Sequence, residues 1–403
     1  NHIIFFGITL KEKILVRRIN MIYFVESNKE NQDHQAINEA MIHILGKIFN
    51  DKIHVFSTQK HFDNLRLTHD VDLSRIKVID RGAKSWIIKV LYEVFNLWKI
   101  LKVAKSKEVR FVYISSVFPI THYFIKIIKK AFPSVKMIIG LHGEIEFVRA
   151  RKSAKLKFLG KFIRLAFDVK LGSNTKYLVF GDIIKKNLLA LNLLNSDELI
   201  SIDHPYQYDV RLLKSPNEEV IRIGMIGLAS TNKNSHFIYQ LAELLENEIA
   251  LNKLSVEIIG KILPNVLNYS NSLVLNHNSE QFLSRELFEK RIQFIQYAVF
   301  FYDNHFYKLC ASGAFFDAVK FEKPILALKN DFFEYYFEKL GDIGFLFNDL
   351  NEMRNQIKSI VDGQCRERRL IQINNLKKAK QVLSLESIAI DFDNQLTENR
   401  FLL

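Results

Sequence analysis

Only two cysteines, Cys310 and Cys365, occur in 403 residues, too few for a disulfide framework or an all-thiolate zinc site, so a reducing, cytoplasmic setting is expected. No stretch supplies the roughly 20 apolar residues of a membrane-spanning helix. The uncharged segment Phe111–Ile125 is broken by Ser115, Ser116, Pro119, Thr121 and His122. The apolar start His2–Leu10 has no basic run before it and no small-residue cleavage site after it, so residues 1–20 read as an extension and not as a signal peptide. Walker A, G-x-G-x-x-G, G-x-S-x-G and H-E-x-x-H patterns are all missing, which leaves P-loop, dinucleotide, serine-hydrolase and zincin chemistry without their usual signatures.

Acids are also scarce in one region. Between Lys84 and Lys170 there are 19 Lys or Arg against five acids (Glu93, Glu108, Glu144, Glu146, Asp168), while the whole chain carries a net +13. The excess is therefore local, as expected of a face that meets an anionic surface. Two basic amphipathic stretches account for it. Lys84–Lys107 spaces Ile87, Leu91, Val94, Trp98 and Leu101 at helical period, and Arg149–Lys170 does the same with Leu156, Leu159, Ile163 and Phe167. Trp98, Lys102, Arg151, Lys155 and Lys161, with Lys126, Lys129 and Lys130, are expected to face an anionic membrane. A nucleic-acid partner is not expected, because zinc-finger spacing and RNP-type aromatic runs are absent.

With 48% hydrophobic and 25% charged residues the chain is globular, and its length suits two domains. Short apolar runs (Met21–Val25, Ile53–Ser57, Val109–Ser115, Lys136–Leu141, Tyr177–Phe180) alternate with helical patterns, the signature of βαβ units and parallel sheet. A polar break with Pro205 and Pro216 interrupts the rhythm, which restarts at Ile221–Ile226. The fold class expected is α/β, two doubly wound Rossmann-like domains facing a cleft. They span 21–205 and 221–383, joined by a 206–220 linker and followed by a polar C-terminal helix over 384–403.

The segment Phe300–Asn330 carries the most chemistry. An apolar strand ends near Asp303, Ser312 is placed to cap a helix, and Gly313 lets an anion approach the free N–H groups beyond it. Asp317, one turn further, is placed to accept ribose hydroxyls. Phe315–Leu328 (FFDAVKFEKPILAL), Ile221–Gly227 (IRIGMIG) and Val256–Gly260 (VEIIG) together resemble the nucleotide-sugar-binding half of GT-B glycosyltransferases of bacterial cell-envelope and polysaccharide synthesis. The resemblance implies a donor site built from Gly227, Lys233, Tyr302, Ser312, Gly313 and Asp317, with Tyr307 beside it. Lys233 and helix-end amides would hold the diphosphate, so neither a cofactor nor a metal is expected. One departure stands out: where many retaining members have an acid eight positions before the ribose-binding residue, this chain has Leu309.

In the N-terminal half, the strand Met137–Gly140 runs into Leu141-His142-Gly143-Glu144-Ile145-Glu146 at the crevice end of the sheet, and an acceptor hydroxyl needs a base there. Glu144 or His142 is the first choice and Glu146 the second. Glu26, Asn28, Gln32, Asp33 and His34 border the acceptor side in related folds; His204-Pro205-Tyr206 reads as a hinge. Asp70-Val71-Asp72 and Asp391-Phe392-Asp393 read as chance D-x-D matches. The expectation is a glycosyltransferase of hexosyl type, peripheral to the inner face of the cell membrane, that moves a sugar from a nucleotide donor to a lipid-linked glycan, with room for a homo- or hetero-oligomer. A sugar-nucleotide epimerase of the same fold, or a non-catalytic partner of a transferase, is the alternative.

Overall fold

The computed structural model describes residues 21–30, 33–49, 52–66, 77–78, 85–150, 153–210, 212, 219–276, 283–399 and 401. Residues 1–20, Gln32, Asp70–Asp72, Arg151 and most of 211–218 lie outside the described residues.

The N-terminal half holds a seven-stranded sheet: β1 (Met21–Glu26), β2 (Lys52–Ser57), β3 (Lys77–Val78), β4 (Phe111–Ser116), β5 (Met137–Gly140), β6 (Thr175–Phe180) and β7 (Leu199–Ile202). All pairs are parallel, in the order β3-β2-β1-β4-β5-β6-β7. The C-terminal half holds six strands: β8 (Ile221–Ile226), β9 (Leu254–Ile259), β10 (Val274–Asn276), β11 (Tyr297–Phe300), β12 (Ile325–Leu328) and β13 (Gly344–Phe347), ordered β10-β9-β8-β11-β12-β13 and again parallel. Helices cover both faces of each sheet, so central strands such as FVYISS at β4 and YAVF at β11 are buried throughout and are predominantly apolar. In each half the strand order reverses at one point, between β1 and β4 and between β8 and β11, and the loops leaving those strands bound the crevice.

Strands β7, β10 and β13, three or four residues long, are not among those expected from the sequence pattern. The final helix, Leu385–Glu398, differs from the polar element expected. It crosses back to the N-terminal half and buries Leu385, Ile388, Ala389, Phe392 and Leu396 in the same apolar cluster as Ile37, Met41 and Ile200. Gln395 bonds both the N–H and the carbonyl of Ser201, and Lys47 pairs with Glu386 at 2.7 Å. Both tryptophans, Trp86 and Trp98, lie in the N-terminal half, so their fluorescence reports on that half. Phe392→Ala, which empties a fully buried site, is expected to cost about 3–5 kcal/mol and to lower the urea midpoint followed by tryptophan fluorescence. An unchanged midpoint would mean that the helix does not stabilise that half.

Candidate functional site

On the C-terminal side three backbone segments converge because glycine permits it. Gly227 follows β8 with φ +91 and Gly260 follows β9 with φ +144. A Cβ on Gly260 would lie 2.3 Å from the Gly227 carbonyl oxygen, and one on Gly227 would lie 3.6 Å from Ala314 Cβ, in the first turn of the helix Gly313–Lys320. Ser312 caps that helix: its Oγ accepts the Phe315 N–H and donates to Tyr302 Oη at 3.1 Å. Gly313 is exposed, and a Cβ there would meet no atom within 4 Å. The first turn's amides carry the partial positive charge of a helix end.

Lys233 ends a short 3-10 turn whose next residue, Asn234, takes φ +53 and donates to Phe301 O at 3.1 Å and Asp303 Oδ2 at 3.0 Å. The Lys233 ammonium stands 5.7 Å from the Tyr302 ring and 5.9 Å from Tyr307, two rings stacked at 4.2 Å. Among the described residues no carboxylate lies within ion-pair reach of it, and burial lowers its pKa. A partly desolvated cation with no acid beside it favours an anionic ligand.

Asp317 departs from the role expected of it. It is buried, and its Oδ1 accepts hydrogen bonds from Tyr206 Oη and from Arg285 Nη2 at 3.3 Å. Burial raises its pKa, and the Arg285 guanidinium pulls it back. A ribose would therefore compete with Tyr206 and Arg285 or use Oδ2. Neither partner was anticipated, since Arg285 lies 32 positions away and Tyr206 111.

On the N-terminal side, Gly140 ends β5, and a Cβ there would sit 2.5 Å from the Ser115 carbonyl oxygen. That close approach lets His142 Nε2 reach Ser115 O at 2.9 Å. A carbonyl only accepts, so Nε2 carries the proton and Nδ1 is the basic nitrogen. Burial pushes the ring's pKa down to about 4, which makes it a poor base at neutral pH. Glu144 accepts the His142 backbone N–H at 3.0 Å, and burial raises its pKa toward the range useful for a base. Glu146, also expected as a base, is instead spent on the other domain: its Oε1 accepts the backbone N–H groups of Lys308 and Leu309.

Glu26 is fully buried and satisfied by the N–H groups of Asn28 and Lys29, by Ser116 Oγ and by Asn38 Nδ2. It anchors the loop that follows β1. His34, in that loop at φ +62, stacks 4.3 Å from His142, and its Nδ1 lies 3.9 Å from Glu26 Oε2. Glu93, which sequence reasoning passed over as one acid on a basic helix, is buried too; it accepts from Ser27, Thr121 and the Phe118 N–H.

The two sides meet at a cavity of about 420 Å³, to which the N-terminal half gives Gly143, Glu146 and Arg149 and the C-terminal half gives Ser230, Lys233 and Tyr307. A second cavity of about 450 Å³ includes Glu39, Arg66, Tyr206, Arg285 and Lys320. His142, Glu144, Gly227, Gly313 and Asp317 line neither.

The basic region is partly redrawn. Lys126 and Lys129 are buried, not exposed: Lys126 Nζ lies 4.8 Å from the Tyr177 ring, Lys129 bonds the Phe132 carbonyl at 2.9 Å, and burial lowers both pKa values to about 8. Lys102, Lys155 and Lys161 are exposed. The Trp86–Ser106 helix packs inward with Val90, Leu97, Ile100 and Leu101 and turns Ile87, Leu91, Phe95 and Trp98 outward. Among the described residues no helix is long and apolar enough to cross a membrane.

No family model matches the chain, and no curated protein matches its sequence. Solved structures do. TarM of S. aureus, solved with UDP and alpha-GlcNAc-glycerol, is 15% identical with a TM-score of 0.55; the match covers 76% of this chain and only 58% of TarM. HepE of Anabaena, solved with UDP-glucose, is 13% identical with a TM-score of 0.64, covering 94% of this chain and 99% of HepE. A Listeria monocytogenes protein described as a UDP-N-acetylglucosamine 2-epimerase is 10% identical, TM-score 0.53, over 89% and 92%. At these identities the likeness establishes the fold: two Rossmann-like domains in the GT-B arrangement.

Three imidazoles lie along the domain junction. His142 is flanked by His34 and by Phe180 at 4.8 Å, and His204 packs between Phe180 at 5.7 Å and Phe316 at 4.9 Å. Burial lowers all three pKa values, His204 to about 3. Their unfolded value is near 6.5, so the unfolded chain takes up more protons and stability falls as pH drops below it. For His142 and His204 the loss is roughly 2 kcal/mol per ring between pH 7 and 5. His204→Phe, which keeps the stack, should shrink the drop in melting temperature between pH 7.5 and 5. An identical drop in the variant would show that His204 is not held neutral.

Proposed function

We propose that this chain is a glycosyltransferase that moves a hexosyl group from a nucleotide-sugar donor to a hydroxyl of a lipid-linked glycan in cell-surface polysaccharide synthesis. It would work from the cytoplasmic side as a membrane-peripheral protein. The observation that carries the reading is the Lys233 ammonium in the interdomain cavity, desolvated and with no carboxylate in ion-pair reach among the described residues. The open amide end at Gly313 gives the same domain a second place for negative charge. Amides and ammonium together would stabilise the departing diphosphate without a metal ion.

In this reading Glu144 is the base, its carboxylate held by the His142 backbone N–H. In a direct displacement the acceptor hydroxyl gives its proton to Glu144 as its oxygen bonds the anomeric carbon. The bond from that carbon to the phosphate oxygen breaks, and the electron pair leaves on the diphosphate. Closure of the cavity excludes water, which would otherwise take the acceptor's place.

Three adjacent helices support the membrane part. Trp86, Ile87, Leu91 and Phe95 from the first are exposed, as are Phe124 and Ile127 from Pro119–Lys129 and Phe158 from Ala154–Asp168. Large apolar side chains gathered on one face, with exposed Lys99, Lys102, Lys130, Lys155 and Lys161 on the same helices or at their ends, suit the interface of an anionic bilayer. Lys99 and Lys102 lie over the Phe95 and Trp98 rings at 4.1 and 5.5 Å. The likeness to the Listeria protein supports a second reading, a sugar-nucleotide epimerase, which would convert donor without acceptor.

A thermal-shift panel of UDP, GDP, CMP and dTDP should show one stabilising nucleotide, with Lys233→Ala weakening it about tenfold or more. Glu144→Gln should keep that affinity and lose roughly 100-fold or more in transfer. No stabilisation by any nucleotide would sink the reading, and product formed without acceptor would favour the epimerase. Leu91→Ser with Phe95→Ser should abolish flotation with phosphatidylglycerol vesicles; wild-type protein left at the bottom of the gradient would remove the membrane from the proposal.

A further inference from the structure

Residues 303–311 run from the end of β11 to the cap residue Ser312 and belong by chain position to the C-terminal half, yet N-terminal side chains hold them. Leu309 is 1% exposed and lies in the N-terminal apolar cluster with Val117, Leu141, Ile145 and Val148. Besides the two N–H groups on its Oε1, Glu146 accepts Arg149 Nη1 on Oε2 at 2.9 Å. Arg149 donates in turn to the carbonyls of Asn304 at 2.9 Å and His305 at 3.5 Å. Asn187 donates to the Lys308 carbonyl at 3.0 Å. Gly143 eases the approach, since a Cβ there would stand 3.0 Å from Cys310 Sγ and the thiol would have to give way by a few tenths of an ångström. The polar groups of this set, Glu146, Arg149 and Asn187, all bind backbone of the segment, and the apolar cluster receives the Leu309 side chain.

The gripped segment carries Tyr307, whose ring stacks on Tyr302 and sits beside the Lys233 ammonium. We infer that Glu146 and Arg149 form an interdomain clasp that fixes residues 303–311 and, through Tyr307, the place where Lys233 meets the donor. The inference rests on the donor site proposed above and deepens it: both are positioning residues. Three of the roughly four lone-pair sites of the Glu146 carboxylate are engaged in holding this segment and Arg149. Opening the two halves breaks the clasp. Donor affinity and domain closure are therefore coupled, and each favours the other.

Amide hydrogen exchange and steady-state kinetics on Glu146→Ala and Glu146→Gln test this. With Glu146→Ala, exchange at Lys308 and Leu309 should rise at least tenfold, and the donor KM should rise about tenfold with kcat at saturating donor largely kept. Glu146→Gln retains a carbonyl acceptor but loses the ion pair to Arg149, and should fall between Glu146→Ala and wild type. Should Glu146→Ala fail to fold, Arg149→Ala, altered at the half-exposed rim, carries the same measurements with exchange read at 303–307. Unchanged exchange overturns the clasp. Loss of kcat with donor KM intact and a shifted acid limb of the pH–rate profile overturns the positioning role in favour of a base. Exchange is read without nucleotide, so a wild-type protein that binds no nucleotide removes the donor reading while the clasp is still judged by its own result.

Discussion

Two sheets that each reverse their strand order can share one ligand only if the loops leaving their carboxyl ends are held face to face. In this chain that constraint is met largely by backbone. Gly227 and Gly260 bring strand ends within contact of each other, Gly140 brings His142 onto the β4 carbonyl, and Glu146 and Arg149 seize the main chain across the domain boundary. The chemistry of the site depends on this arrangement. A main chain pinned at these points presents amides and carbonyls with little freedom left to lose, and preorganised dipoles are what an appearing negative charge needs.

Charge is sorted the same way. At the junction burial holds His142 and His204 toward the neutral form, and Asp317, one turn into the helix that begins at Gly313, is shared between a tyrosine and an arginine. Lys233 stands apart as a cation beside two rings, with no acid in ion-pair reach among the described residues. A site of this kind gains from an anion and has little to offer a cation.

The sheets were largely legible because a strand buried on both faces must be a predominantly apolar run, as at Ile22–Val25 and Tyr297–Phe300. The residues at their crevice ends were legible for the same reason: topology alone puts the loops after β5, β8 and β11 at the cleft. The contacts that stayed hidden depend on partners far along the chain. Nothing near Glu146 announces that the amides it needs lie more than 160 positions away, and nothing near Asp317 announces Arg285. The Trp86–Ser106 helix has apolar residues on two faces, so periodicity marks a helix without saying which side packs. Lys126 and Lys129 look like surface charge until Tyr177 and the Phe132 carbonyl are seen to receive their ammonium groups.

The return of the Leu385–Glu398 helix to the first half has a mechanical consequence. The chain passes between the two lobes twice, once near Tyr206 and once just before Leu385. Two bodies tied at two points swing about the line through both ties and resist twisting across it, as a door does on a pair of pins. Any breathing of the crevice is thereby channelled into a single swing, and a fragment cut at either tie would bare a greasy flank that the intact chain keeps covered.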